Sequence, residues 1–364
     1  FKYSFFLTNL LGFNFLKTLS YTGDLPLAIS FITFTVIAIL IDVKTKKYEE
    51  TISFFSLSEF LVYFPQLIAG PILRAKELIP KLKNKIIFSN SNIKFGILLF
   101  IVGFTKKIFF ADNIAEMIDP IFDEQSLTSN EDYVKGFLLF PLQIYFDFSG
   151  YVDMALGVSK ILNIDLPINF NKPYLSGSLT DFWRNWHITL SKWFKDYVYI
   201  PLGGSKFGNK KLLSNLLITM SVAGLWHGAN MNFILWGFLN GFFLFLEKKL
   251  TNVLNLNKYF KIFLTCFLVF NLWIIFRITD LNFLFHFYGN LYLNFLTIFT
   301  IENLFILFLV FLTVLSQKFD NYEFIEKSSK KITLLTLIPI FMIIILTGLA
   351  MKAGTSDKFI YFDF

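Results

Sequence analysis

The sequence contains little cysteine and little charge. Cys266 is the single cysteine among 364 residues, which excludes an intramolecular disulfide and a metal cluster built on cysteines. Charged residues make up 16% of the chain, whereas an ordinary globular domain carries roughly a quarter. The sequence also lacks the Gly-x-Gly-x-x-Gly and Walker loops, the His-Glu-x-x-His helix and the Gly-x-Ser-x-Gly elbow. These absences argue against a cytosolic enzyme, a nicotinamide enzyme, ATP-driven transport, a zinc protease and a serine hydrolase.

Apolar residues occur instead in long runs. They make up 55% of the chain, with 50 phenylalanines, and the mean hydropathy is +0.59. A helix needs about 20 mostly apolar residues to cross a bilayer. By this measure the sequence predicts spans at 25–43, 95–111, 134–158, 212–230, 232–246, 262–280, 303–316 and 332–350. This pattern indicates a polytopic membrane protein, in which the net charge of +7 belongs to loops facing the cytoplasm and not to a nucleic-acid surface.

Three more segments are apolar but short or interrupted: 1–20, 53–73 and 281–300. The middle segment contains Pro65, Gly70 and Pro71, which is typical of a re-entrant or broken helix. No repeat, linker or heptad pattern divides the chain. We therefore predict one all-α domain over 1–364, with about 8–11 transmembrane or re-entrant helices.

The charges of the loops predict the orientation. Segment 74–94 carries six basic residues and one acid, whereas 112–132 carries seven acids and no base. Because basic loops stay in the cytoplasm, the first segment is expected inside and the second outside. Alternation of the spans then puts the loop 317–331 inside and the tail 351–364 outside.

Segment 160–211 differs from the rest of the chain. It contains no clean span, yet it holds three of the six tryptophans, and charged residues are interleaved with the aromatic ones. Such a mixture is typical of amphipathic helices that lie at the membrane interface or dip into it. The alternative, a solvated cytoplasmic loop, would leave a large aromatic surface in water, which is uncommon.

The three histidines are candidates for proton chemistry, because ionisable groups are costly at membrane depth. His227 is flanked by Gly224 and Gly228, so a backbone or a narrow substrate can approach it closely. Its ring can take a proton from a hydroxyl near neutral pH, although a packing role is equally compatible with the sequence. The spacing around His187 favours an interfacial amphipathic helix over catalysis, and we interpret His286 as structural.

Two carboxylates, Asp147 and Asp153, lie inside the predicted span 134–158. Residues six apart on a helix do not share a face closely, so these two do not form a carboxylate dyad. We predict that each is buried and hydrogen-bonded to Tyr or Arg side chains.

Five blocks of the sequence have the form and the order of one known family. The most specific is DFWRNWHITLSKWFKDYVYIPLGG at 181–204, and the others are PLAISF at 26–31, PQLIAGPI at 65–72, YFDFSGY at 145–151 and GLWHG at 224–228. They resemble the membrane-bound O-acyltransferase family, most closely the branch of alginate and peptidoglycan O-acetyltransferases. Ala28 and Asn185 depart from the Gly and Arg that the family usually has.

The resemblance implies a mechanism around a central tunnel. An acyl thioester, acetyl-CoA or another, enters from the cytoplasm, and the acyl group leaves on the outer side. His227 corresponds to the catalytic base, and His187 to a second histidine that places the donor or the acceptor. No metal is implied. The residues that we expect to position the substrate are Arg184, Asn185, Trp186 and Trp226.

The implied function is O-acetylation of an extracytoplasmic glycan from the bacterial cytoplasmic membrane, with an esterase-like partner protein outside. The expected partners are therefore the esterase-like protein, the glycan and membrane lipid. Peptidoglycan is favoured over alginate or another exopolysaccharide, since the Phe-, Ile- and Lys-rich composition suits an A+T-rich bacterium. D-alanyl transfer to teichoic acid ranks lower, because that branch lacks the YIPLGG form at 199–204. A proton-coupled transporter or export subunit is the alternative from another class, although isolated histidines do not form the relay it needs.

Both ends of the chain bear on this function. The sequence ends in FIYFDF at 359–364, close to the aromatic terminus of the same branch. An aromatic anchor at the outer interface is one explanation. The resemblance implies another, in which the hydroxyl of Tyr361 accepts the acyl group. Family members also begin with further hydrophobic helices, so the missing initiator Met leads us to expect spans that precede residue 1.

Overall fold

The computed structural model describes residues 28–48, 51–67, 70–123, 129–250 and 256–352. Within these ranges the chain forms helices and turns and contains no strand, which confirms the all-α prediction. The predicted segment 1–20 lies outside the described residues, as do Tyr361 and nearly all of the tail 351–364.

The long helices coincide with the predicted spans. Two π-helical turns, Lys106–Ala111 and Lys195–Tyr199, directly follow the α-helices that end at Thr105 and Phe194, and short 3-10 turns occur at Pro173–Leu175 and Phe295–Phe299. In chain order the α-helices are α1 (Ile29–Lys44), α2 (Phe54–Val62), α3 (Phe64–Leu67), α4 (Ala75–Leu82), α5 (Asn90–Thr105), α6 (Asp112–Asp123), α7 (Asn130–Ile161), α8 (Leu179–Asn185), α9 (Ile188–Phe194), α10 (Gly208–His227), α11 (Met231–Leu250), α12 (Lys258–Arg277), α13 (Leu281–Leu293), α14 (Ile301–Ser316), α15 (Tyr322–Ser329) and α16 (Leu334–Met351).

Length and composition identify two helices of the described part, α12 and α16, as able to cross a membrane, and α14 as a shorter apolar helix. The outward surface of α16 is apolar, with Leu335, Ile343 and Leu349 exposed. A continuous apolar surface of this kind suits lipid better than water. The other predicted spans include buried polar side chains such as Asp147 and Asn240, which face the interior of the bundle and lower the hydropathy.

The central element is α7, which is 32 residues long and packs against α5, α6, α12, α13 and α14. Glycines bring α5 and α7 together in antiparallel contact. A Cβ added to Gly96 would lie 2.5 Å from the carbonyl oxygen of Gly157, and the reverse distance is also 2.5 Å. Gly103 and Gly150 make the same approach farther along the helices. Small residues at a helix interface allow the backbones to touch, which fixes α5 and the turn after it against α7.

The segment predicted to be amphipathic, 160–211, consists of short helices and turns. The faces of α8 and α9 that carry Phe182, Trp193 and Phe194 are buried, as is the ring of Trp186 between them. Whether this segment lies at a membrane interface stays a prediction.

The start of the loop 317–331 is packed against the bundle. Gln317 is fully buried, and its Oε1 accepts a hydrogen bond from the backbone N–H of Tyr174 at 2.9 Å. The hydroxyl of Tyr145 donates to Asp320 at 2.5 Å. Helices α14 and α15 therefore form one broken unit whose break is held against α7. The charge count of the loop 317–331 comes mainly from lysines in α15 and in the turn after it, so it does not predict this break.

The close packing of α5 on α7 can be tested with a single methyl group. Gly157→Ala forces the backbones apart and should cost about 1–3 kcal/mol of stability, as overpacking does in other cores. The midpoint of thermal unfolding in detergent should fall by several degrees. Gly289→Ala in α13 is the matched control, because its added Cβ meets nothing within 4 Å. Equal midpoints for the two variants would contradict the packing.

Candidate active site

His187 lies at a sharp turn between α8 and α9. Its backbone is in the left-handed region, with φ 42° and ψ 55°. A residue other than glycine adopts such a conformation at a cost of about 1–3 kcal/mol, so the surrounding structure must enforce it. Two backbone hydrogen bonds with the segment 169–171 hold this conformation. The N–H of Asn171 donates to the carbonyl of Asn185, and the N–H of Ile188 donates to the carbonyl of Asn169, both at 3.0 Å.

The imidazole of His187 is buried against aromatic rings. Its centroid lies 4.7 Å from that of Phe148 and 6.4 Å from that of Trp226, and the residue is 1% exposed. Neither ring nitrogen has a hydrogen-bond partner within the described ranges. Burial lowers the pKa of His187, so the ring is neutral and offers one N–H donor and one acceptor.

His227 is the last residue of α10, and the chain turns there into α11. The close approach of α11 explains why glycines flank His227, as the sequence predicts. A Cβ added to Gly224 would collide with the carbonyl group of Phe233, and one added to Gly228 with its ring. The two glycines therefore allow α10 and α11 to close on each other directly beside the histidine.

Aromatic rings surround the imidazole of His227, which is buried. Ring centroids lie 4.8 Å away at Trp226, 5.0 Å away at Phe276 and 5.4 Å away at Trp236. The side-chain amide of Asn232 donates to the carbonyl oxygen of Phe276 at 3.1 Å, which ties α11 to α12 at this corner. The ring is thus held in a low-dielectric pocket at the end of a helix.

Trp226 brings the two histidines together, since its indole ring contacts both imidazoles. The same indole stacks on Phe34 of α1 at 5.1 Å. Phe34 in turn stacks on Trp193 at 3.9 Å, and the indole N–H of Trp193 donates to the Phe34 carbonyl at 3.1 Å. Helices α1, α9 and α10 therefore pack together beside the two histidines. We call His187, Trp226 and His227 the His–Trp group.

The other predicted binding residues support the turn around His187. Trp186 is buried, with its ring centroid 4.9 Å from that of Trp273. Asn185 donates to the carbonyl oxygen of Asp181 at 2.9 Å, and the exposed Arg184 pairs with the Asp181 carboxylate at 3.1 Å. Substrate contacts by these residues stay predictions.

Asp147 and Asp153 pair with lysines, not with the Tyr or Arg side chains that the sequence led us to expect. Lys107 Nζ lies 2.5 Å from Asp147, and Lys106 Nζ lies 2.6 Å from Asp153. Both lysines belong to the π-helical turn after α5, a rare conformation that is frequent at functional sites. Two adjacent lysines inside the predicted span 95–111 are the sequence signal that indicates such pairs, because a buried charge requires a partner.

Each of these lysines contacts a second carboxylate. Asp320 lies 2.6 Å from Lys106, and Asp112 lies 2.8 Å from Lys107. The pairs join the turn after α5 to α6, to α7 and to the break between α14 and α15. More than 200 residues of sequence separate Lys106 from Asp320, so inspection of local patterns does not reveal this pair.

His286 lies in α13, apart from the His–Trp group. Its ring nitrogen Nε2 is 3.1 Å from the Tyr133 hydroxyl, and the side chain of Asn290 lies at the same distance. These contacts fit the structural role that we assign to it. In the part of the chain that the structure describes, no three His, Cys, Asp or Glu side chains are grouped to hold a metal ion.

The region that contains the His–Trp group is similar to known proteins. The model of the membrane-bound O-acyltransferase family, MBOAT, matches residues 44–289. The chain is 41% identical over 265 residues to probable alginate O-acetylase AlgI of Pseudomonas aeruginosa, which covers 71% of this chain and 50% of that protein. It is 43% identical over 270 residues to peptidoglycan O-acetyltransferase of Helicobacter pylori, with coverages of 66% and 51%.

A third relative is teichoic acid D-alanyltransferase of Streptococcus thermophilus, 33% identical over 240 residues, with coverages of 59% and 55%. The chain spans about half the length of the curated relatives it matches. Members of the matched family are membrane proteins and use an acyl donor. Because the match covers more than half of the sequence and includes both histidines of the His–Trp group, the chain belongs to the membrane-bound O-acyltransferase family.

Proposed function

We propose that this protein transfers an acetyl group from a cytoplasmic thioester, acetyl-CoA, toward a glycan outside the bacterial cytoplasmic membrane. The His–Trp group is the observation that supports the proposal, since two buried imidazoles contact one indole ring where α10 ends. Peptidoglycan is the favoured glycan, because a relative of that name is 43% identical. Acetylation of alginate and D-alanyl transfer to teichoic acid are the alternatives that other relatives suggest.

His227 acts as the general base in this mechanism. It takes the proton of the acceptor hydroxyl while the hydroxyl oxygen bonds to the carbonyl carbon of the thioester. The C–S bond then breaks, and the proton passes from the imidazolium to the leaving thiolate. One neutral imidazole therefore serves both proton transfers, and a positioned base of this kind contributes about 10²–10⁴-fold to the rate.

His187 stabilises the charge that develops on the carbonyl oxygen. Its neutral ring has one N–H to donate, and the left-handed turn fixes the direction of that donor. A donor aimed in advance at the developing oxyanion is worth more in a low-dielectric site than in water. The rings of Phe34, Trp193 and Trp226 form the aromatic wall beside it, and they keep water away from a thioester that water would hydrolyse.

The acyl group leaves on the outer side through the tail in this proposal. Helix α16 ends at Met351, and Lys352 pairs with Glu116 of the acidic helix α6 at 2.6 Å. The charge pattern puts α6 outside, so the tail begins on that side. The Tyr361 phenol accepts the acetyl group there and passes it to an esterase-like partner protein that acylates the glycan. A phenol with a pKa near 10 is a weak nucleophile until a base assists, but a good leaving group afterwards.

Replacement of His227 tests the enzymatic proposal. His227→Ala should keep the fold and reduce thioester-dependent release of free thiol by at least about 10²-fold, because the base is lost. The assay uses purified full-length protein with acetyl-CoA and the acceptor. His286→Ala is the control and should keep wild-type turnover, since it removes an exposed histidine that lies apart from the His–Trp group and makes only structural contacts. Substantial turnover by His227→Ala would refute the assignment of the base, and a wild-type protein that releases no thiol would favour the transporter alternative.

The carrier role of Tyr361 has its own test. Tyr361→Phe keeps the aromatic ring and removes only the hydroxyl, so glycan acetylation should stop while expression stays normal. Intact-protein mass spectrometry of wild type incubated with acetyl-CoA should show one added acetyl group on the C-terminal peptide. Tyr259→Phe, at an exposed tyrosine of α12, is the control and should acetylate normally. Normal glycan acetylation by Tyr361→Phe would leave the aromatic anchor as the explanation of the tail.

A further inference from the structure

The side chain of Asn169 is fully buried beneath the His187 turn. Its Oδ1 accepts two hydrogen bonds from Thr189, at 3.0 Å from the backbone N–H and at 2.7 Å from the hydroxyl. Its backbone carbonyl accepts from Ile188 N–H at 3.0 Å. Asn169 therefore binds the two residues that directly follow His187, at the first turn of α9.

The directions of these hydrogen bonds are fixed by chemistry. A backbone N–H can only donate, so the amide atom that faces Thr189 is the oxygen and Nδ2 points the other way. The Thr189 hydroxyl oxygen also accepts from Ile72 N–H at 2.9 Å, which leaves its own proton for Asn169. The network thus permits one orientation of the carboxamide and one rotamer of the hydroxyl.

Nδ2 of Asn169 is buried, with no hydrogen-bond partner in the described residues. Asn169 lines a cavity of about 20 Å³, which is enough for a single water molecule. Lys106, Asp153 and Asp320 line the same cavity, in which the two aspartates supply carboxylate acceptors. Asn169 therefore contacts the His187 turn with one end of its amide and also lines the cavity of the charge cluster.

We propose that Asn169 is a positioning residue for His187 in acyl transfer, and that its Nδ2 is held by a water bound between it and the carboxylates of Asp153 and Asp320. This inference rests on the proposed function. Asn169 does not touch the reacting atoms. It fixes the backbone angles at His187, and through them the direction in which the ring donates its hydrogen bond. A small misplacement of such a group reduces the rate strongly, by about 10²-fold for a displacement near 1 Å.

A double-mutant cycle on the full-length protein separates positioning from general support of the fold. Asn169→Ala should lower kcat for thiol release by about 10–100-fold, with the KM for the thioester within about twofold of wild type. In a His187→Ala background the same substitution should cause no further loss, because the residue it positions is gone. Losses that multiply in the double variant would overturn the proposal.

Substitutions at two further positions complete the test. Asn303→Ala also removes a fully buried asparagine, whose Nδ2 donates to the Thr297 carbonyl at 2.9 Å in a distant part of the bundle, and it should leave kcat unchanged. Thr189→Val should lower kcat and Thr189→Ser should not, since only serine keeps the hydroxyl that donates to Asn169.

Amide hydrogen exchange gives a readout that does not depend on turnover. Exchange in the peptide 186–191 should accelerate in Asn169→Ala and not in Asn303→Ala. Unchanged exchange in Asn169→Ala would overturn the positioning role even if kcat fell. If wild type itself releases no thiol, the proposed function fails, and the exchange result still decides whether Asn169 holds the turn.

Discussion

The contact of one indole ring with two imidazoles is the interaction on which the candidate site depends. Trp226 can meet His187 only because the chain turns left-handed between α8 and α9, and it stands beside His227 because both end the same helix. Two glycines allow α10 to close on α11, and hydrogen bonds that Thr189 and Ile188 donate to Asn169 hold the turn. Loss of either support would separate the indole ring of Trp226 from the imidazole ring of His187 while leaving most of the bundle intact.

Burial determines the chemistry available to this group. Two buried imidazoles among aromatic rings have little bulk water to compete for their hydrogen bonds, so a proton transfer or an N–H donation there is electrostatically strong. The same low dielectric makes every unpaired charge expensive, which explains why Lys106 and Lys107 each contact two carboxylates. The charged cluster and the His–Trp group are neighbours through Asn169, and both are explained by one constraint, the low dielectric of the buried interior.

The order of the helices could be predicted from the sequence because apolar run length is a local property. Each predicted span coincides with a helix to within a few residues, apart from the part of 25–43 that precedes residue 28. His227 could also be selected locally, by its glycine neighbours, whereas only the family resemblance pointed to His187 as a site residue. The prediction of a close backbone approach is confirmed at Gly224, where the Phe233 carbonyl approaches, whereas the ring of Phe233 is what approaches Gly228.

The failures have a physical reason in common. The packing of Gln317 and Asp320 against the bundle, the lysine partners of Asp147 and Asp153, and the amide of Asn169 all depend on contacts between residues far apart in sequence, which no window of a helix turn or two contains. The contacts of Gln317 with Tyr174 and of Asp320 with Tyr145 hold the break between α14 and α15 in place. The left-handed backbone at His187 could not be predicted from the sequence either, since histidine does not require that conformation.

A structure of the full-length protein bound to acetyl-CoA tests the central claim most directly. The account predicts that the thioester sulfur lies beside the Trp226 ring, with the carbonyl oxygen within hydrogen-bond distance of the His187 ring and space for an acceptor hydroxyl next to His227. A thioester bound away from the His–Trp group, or one that reaches only one of its two imidazoles, would contradict the account.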